Sequence, residues 1–151
     1  MKRVVLGPLG VGMLLAIGLF ISGAGQPQPV ESAKPCSLQT LKGSYLYHCT
    51  GFQLVDGQQV HFAFAGRDQY NGDGTMSGVY SLSYNGELSQ HLSYTGTYTV
   101  NPDCTGAFTT TDENGAVIHA DLYFGRDGEE VSFVLTDPGV VDAGVERRVR
   151  H

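Results

Sequence analysis

The sequence has no tryptophan, only 3 cysteines and 3 methionines, and only 16% charged residues. Positive charge is scarcest: 9 Lys and Arg stand against 15 Asp and Glu, a formal net charge of −6. Such a chain repels phosphate backbones and anionic lipid, so nucleic acid is not an expected partner. Helical periodicity is missing after residue 36, where no segment repeats apolar residues at helical spacing over successive turns. Reaction signatures are missing as well. There is no Gly-x-Ser-x-Gly elbow, zinc-protease helix, phosphate loop or dinucleotide fingerprint. The run Asp68-Gln69-Tyr70-Asn71-Gly72-Asp73-Gly74 resembles a calcium loop but fails the spacing of acidic ligands, glycine and terminal glutamate. Neither a metal nor a cofactor is expected.

What is present begins with a three-part N-terminus. Met1-Lys2-Arg3 supplies positive charge, residues 4–21 carry none, and Ser22-Gly23-Ala24-Gly25 offers small residues to a signal peptidase. Residues 1–24 therefore read as a secretory signal cleaved after Ala24. An uncleaved anchor is the alternative and the single expected link to a membrane. Residues 25–35 hold three prolines and little to bury, the composition of an extended tether. The folded domain is expected over 36–151, outside the cytoplasm, either secreted or periplasmic. Removing Lys2 and Arg3 from the 9 basic residues, against 15 acidic ones, moves the net charge from −6 to −8. The one basic cluster, Glu146 to His151, reads as a solvated edge or tail.

Six Asx-Gly pairs punctuate the domain: Asp56-Gly57, Asn71-Gly72, Asp73-Gly74, Asn85-Gly86, Asn114-Gly115 and Asp127-Gly128. These residues tolerate the positive φ of tight hairpin turns, and they fall between runs of Tyr, Phe, Val and Thr that suit strands. Strands are predicted at 44–52, 59–66, 74–84, 87–101, 105–111, 116–124, 129–136 and 145–150. Alternation sets Tyr80, Leu82 and Tyr84 on one face, then Leu88, Leu92 and Tyr94, then Ile118, Ala120, Leu122 and Phe124. Leu82, Leu92, Ile118, Leu122 and Val134 are the expected core, with Ser81, Ser89, His119 and Asp121 outside or at the rim. Gly96 suggests a bulge or corner in the longest strand. The expected fold is all-β, one antiparallel meander of about eight strands closed into a small barrel, with a β-sandwich as the alternative.

Leu41-Lys42-Gly43-Ser44-Tyr45, Gly78-Val79-Tyr80 and the run from Gly96 to Gly106, ending Asn101-Pro102-Asp103-Cys104-Thr105-Gly106, carry a resemblance. They are similar to a group of small exported bacterial proteins sharing an LKGxY…GTYTVNxDCTG signature. The resemblance spans nearly all of residues 36–150. It implies a compact barrel, lipocalin-like or like the allene-oxide-cyclase barrel by analogy, and brings no catalytic residues.

Three cysteines in an oxidising compartment form one bridge and leave one thiol. Cys36 and Cys104 occupy loop positions and Cys49 a strand, which favours Cys36–Cys104, with Cys49–Cys104 as the alternative. A hollow barrel would line its pocket with Tyr47, Phe62, Phe64, Tyr80, Tyr84 and Tyr98. A polar site is conceivable at His119 and Asp121, joined by His61 or His91, although the outer wet face is the simpler place for them. The expected role is non-enzymatic: binding a small apolar ligand, or acting as a structural or interaction module. The alternative is a cyclase- or isomerase-like enzyme working in the cavity.

Overall fold

The computed structural model describes residues 34–150. The expected signal segment, the tether up to residue 33 and His151 lie outside the described residues. After one turn of 3₁₀ helix, Leu38–Thr40, come β1 (Gly43–Val55), β2 (Gln58–Tyr70), β3 (Thr75–Tyr84) and β4 (Glu87–Val100). Then come β5 (Thr105–Asp112), β6 (Val117–Phe124), β7 (Glu130–Leu135) and β8 (Val140–Arg148). Each strand pairs antiparallel with the next, and β8 pairs back onto β1, so the sheet closes into a barrel in chain order. That closure rules out the sandwich. Among the described residues no helix is long and apolar enough to cross a membrane.

The turns act as their chemistry requires. Asp56-Gly57 and Asn85-Gly86 put both residues at positive φ (51° and 76°, 50° and 90°), the mirror-image turn that matches strand twist. Every Asx-Gly pair falls in a connection between strands. Two strands outrun their expected limits by four residues or more: β2 continues to Tyr70 rather than 66, and β8 starts at Val140 rather than 145. Both extensions carry carboxyl groups into the interior. The ladders are unequal. β1 and β2 pair along their whole length, whereas β6–β7 and β7–β8 are held by five residue pairs each.

One end of the barrel is sealed. Tyr45, Tyr70 and Tyr98 fill it edge to face, with ring centroids 5.3 and 4.8 Å apart. Arg148 stacks over the Tyr45 ring at 4.8 Å and donates to the carbonyls of Lys42, Thr40 and Gly128. The basic tail is thus no simple solvated edge: Arg148 is largely covered and Glu146 is fully buried. Nearby, Cys36 and Cys104 form the disulfide, Cα atoms 5.1 Å apart, which straps the segment before the 3₁₀ turn to the β4–β5 loop. Cys49 is a free, buried thiol.

Leu82, Leu92, Ile118 and Leu122 pack in or against the core as expected. Val134 does not. It points outward, because β7 turns Val131, Phe133 and Leu135 inward. Leu88 also leaves the face of Leu92 and Tyr94 and is 63% exposed. The cause is a bulge: register shifts between the Tyr80/Leu92 and Leu82/Ser89 pairs, and His91 adopts φ 57° there. Ser89 consequently sits opposite Leu82 at the exposed rim. The bulge falls at His91 rather than Gly96, where pairing is regular.

Candidate functional site

The other end of the barrel is hollow. A cavity of about 330 Å³ descends from exposed Ala116, Val117 and Pro138 between walls of Phe62, Phe64, Tyr80, Leu82, Ile118 and Phe133. Phe62 and Phe64 stack at 5.7 Å, and Tyr80 meets Phe64 edge-on at 6.3 Å. Several aromatic residues lie directly across a ladder from a glycine, among them Tyr47 from Gly66, Tyr94 from Gly78, and Phe133 from Gly144. A Cβ at any of these glycines would overlap the facing ring. Each ring therefore lies down on the wall rather than standing into the lumen, and the space between the walls remains open.

The cavity floor is polar. Asp68 on β2 and Glu146 on β8 are 3% and 1% exposed, and both line the cavity. The two carboxyls act directly on each other, in the sense that favours the proton on Glu146. Tyr94 donates to Asp68, Tyr47 lies 3.3 Å from the Tyr94 oxygen, and Tyr70 sits 3.0 and 3.1 Å from the two Glu146 oxygens. Burial pushes the Asp68 carboxyl up to about 7, against the opposing pull of its hydrogen bonds from Tyr94 and Glu146. Glu146 is pushed well above the carboxylate range by burial and then by the charge of Asp68. Glu146 thus keeps its proton where Asp68 begins to lose its own. Burial first, and Asp68 next, push the Tyr47 and Tyr94 phenols upward, so both remain donors.

A second buried acid lies in the wall. Cys49 Sγ donates to Asp142 Oδ2 at 2.8 Å, and Asp142 Oδ1 has no hydrogen-bond partner among the described residues. Burial raises both groups, which keeps the thiol protonated. No thiolate nucleophile results.

Of the aromatic residues expected in a pocket, Tyr47, Phe62, Phe64, Tyr80 and Tyr84 line the cavity. Tyr98 instead belongs to the sealed end, accepting from Gly72 N–H at 2.9 Å and donating to the Leu38 carbonyl at 3.0 Å. His61, His91, His119 and Asp121 are all exposed on the outside and form no common site. His119 pairs with Asp137 at 2.7 Å, not with Asp121. Among the described residues no group of His, Cys, Asp and Glu is arranged to hold a metal. Asp68 and Glu146 escaped the sequence reading. A trace existed for Asp68, which shares the strand face of Phe62, Phe64, Gly66 and Tyr70.

No protein-family model matches the sequence, and no curated protein matches it. Solved structures do resemble the fold. A de novo designed fluorescence-activating β-barrel superposes with TM-score 0.52 at 14% identity, covering 74% of this chain and 96% of that one. A redesigned β-barrel, mFAP1, bound to DFHBI, gives TM-score 0.52 at 17% identity, over 74% and 98% of the two chains. A related redesign, mFAP0, also bound to DFHBI, gives 0.51 at 16% identity, over 73% and 100%. At these identities the likeness is one of fold.

Proposed function

We propose that this is an exported, non-enzymatic binding barrel that takes a small, largely apolar molecule into its open end. The observation that carries the reading is the aromatic cavity of about 330 Å³, closed at one end and open at the other. That volume falls at the lower end of the range of small-molecule sites, as does its mix of apolar walls and few polar groups. Two structural neighbours are barrels bound to DFHBI, which supports the idea that a barrel of this size accommodates an organic molecule. The signal-like N-terminus and the Cys36–Cys104 bridge support export. A cyclase- or isomerase-like enzyme is the second reading, favoured by one observation: a carboxyl pair and two phenols meet at the cavity floor.

The test is titration with the neutral dye N-phenyl-1-naphthylamine, which brightens in apolar surroundings. Saturable binding at one site is expected. It should be lost in a Leu82→Phe, Ile118→Phe double variant that fills the cavity yet melts cooperatively. Absence of saturable binding, or equal binding by the filled variant, would overturn the reading.

A further inference from the structure

We infer that the molecule taken into this cavity carries a protonated nitrogen, held at the floor by Asp68 and Glu146. The inference rests on the binding reading above and adds the chemical class of the ligand.

Charge is distributed one way along the whole cavity. Its lining includes Asp112 and Asp137 towards the mouth and Asp68 and Glu146 at the floor, and no Lys, Arg or His. Asp137 faces the His119 ring, and Asp112 accepts from Tyr80 at 2.8 Å. The floor pair has no such cation. The groups that act on it are the two carboxyls themselves and the phenols of Tyr94 and Tyr70. Arg148 is occupied elsewhere, on three backbone carbonyls and Glu129.

Asp68 and Glu146 are buried side by side at the cavity floor with no cation in the lining, and whenever Asp68 is ionised the pair holds an unbalanced negative charge. Phenol donors soften that charge without neutralising it. Burying an uncompensated ion is costly, and apolar residues of similar volume would serve stability alone better. An ammonium group entering from the mouth supplies the missing countercharge. It donates to the free lone pairs of the carboxyls, and its body meets Phe64, Tyr80 and Phe133. A carboxylate or phosphate ligand would instead meet four acidic side chains. A bare metal ion is poorly served, since two carboxyls among aromatic rings offer too few oxygens.

The absence of tryptophan makes the test direct, because indole emission then comes from the ligand alone. Tryptamine, tryptophol and indole-3-propionate share one ring system and differ in charge. Titrated at neutral pH, tryptamine should bind at least about tenfold more tightly than tryptophol, and indole-3-propionate most weakly. In Asp68→Asn, Glu146→Gln, tryptamine should fall to the affinity of tryptophol, while N-phenyl-1-naphthylamine binding persists and reports an intact cavity. Equal binding of tryptamine and tryptophol by the native protein would overturn the inference and leave the binding reading standing. A tryptamine preference that survives the double substitution would also overturn it, as would failure of all three while the dye binds. Failure of the dye as well would overturn the binding reading itself.

Discussion

Tyr94 lies directly across the β3–β4 ladder from Gly78, and its ring covers the glycine so that the phenol oxygen reaches Asp68. A backbone position without a side chain thereby sets the position of a polar group at the cavity floor. Gly78→Ala should force the ring off the wall. Overpacking of this kind costs about 1–3 kcal/mol, and urea denaturation should show it. The same variant should weaken dye binding, because the displaced ring occupies the lumen.

The floor carboxyls make stability depend on pH in an unusual direction. Asp68 titrates at about 7 in the fold, up from 3.8, and Glu146 is raised too. The folded state therefore holds more protons than the unfolded chain, and their contribution is complete only at acid pH. It is lost as pH rises through 7. Exposed Asp73 and Asp103, held low by hydrogen bonds from Thr75 and Thr105, act oppositely on the acid side. Melting temperature should peak near about pH 4–5 and decline towards pH 8, with a flatter profile in Asp68→Asn, Glu146→Gln. A native profile rising steadily to pH 8 would contradict this.

The disulfide joins cysteines 68 residues apart. In the chain-entropy description a loop of that length stabilises by about 4 kcal/mol. Cys36→Ser and Cys104→Ser should each lose about that much, with near-equal melting temperatures, since either removes the same bridge. Cys49→Ser should act only through its packing and its contact with Asp142. Peptide mass mapping without reduction should recover Cys36 joined to Cys104.

Core orientation can be checked at two aliphatic positions on neighbouring strands. Leu122 is fully buried, whereas Val134 is 37% exposed on the outside. Leu122→Ala should cost about 2–5 kcal/mol, the range of buried large-to-small changes. Val134→Ala should stay within about 0.5 kcal/mol, as surface changes do. Equal losses at the two sites would mean that β7 is out of phase with this description.

The barrel was legible in the sequence because Asx-Gly turns and aromatic runs state it locally. Two kinds of feature were not. A single bulged residue, His91, inverts everything before it in β4, so Leu88 lands outside although its spacing from Leu92 looks continuous. β7 and β8 also defeat reading by polarity. In β7 both alternating sets contain apolar residues, and the inward set is decided by packing. In β8 the inward set after Val140 is Asp142, Gly144, Glu146 and Arg148, while Val141, Ala143 and Val145 face away from the interior. That strand reads inside out. Its polar side is needed inside for the sealed end and the cavity floor, which is why the site hid in the least apolar stretch.

The uneven ladders give the wall a seam. β1 and β2 are zipped along their full length, but β7 is held on each side by five residue pairs, and β8 parts from it before the 136–139 loop. Opening frequency follows the number of bonds that must break together, so amide hydrogens of β7 should exchange with solvent well before those of β1 and β2. The seam borders the mouth, where Val117 and Pro138 line the cavity. Breathing at the Leu135 end of β7 would widen the aperture without disturbing the sealed end. Residence time of a bound molecule would then track the protection of β7 amides more closely than the melting temperature of the whole barrel.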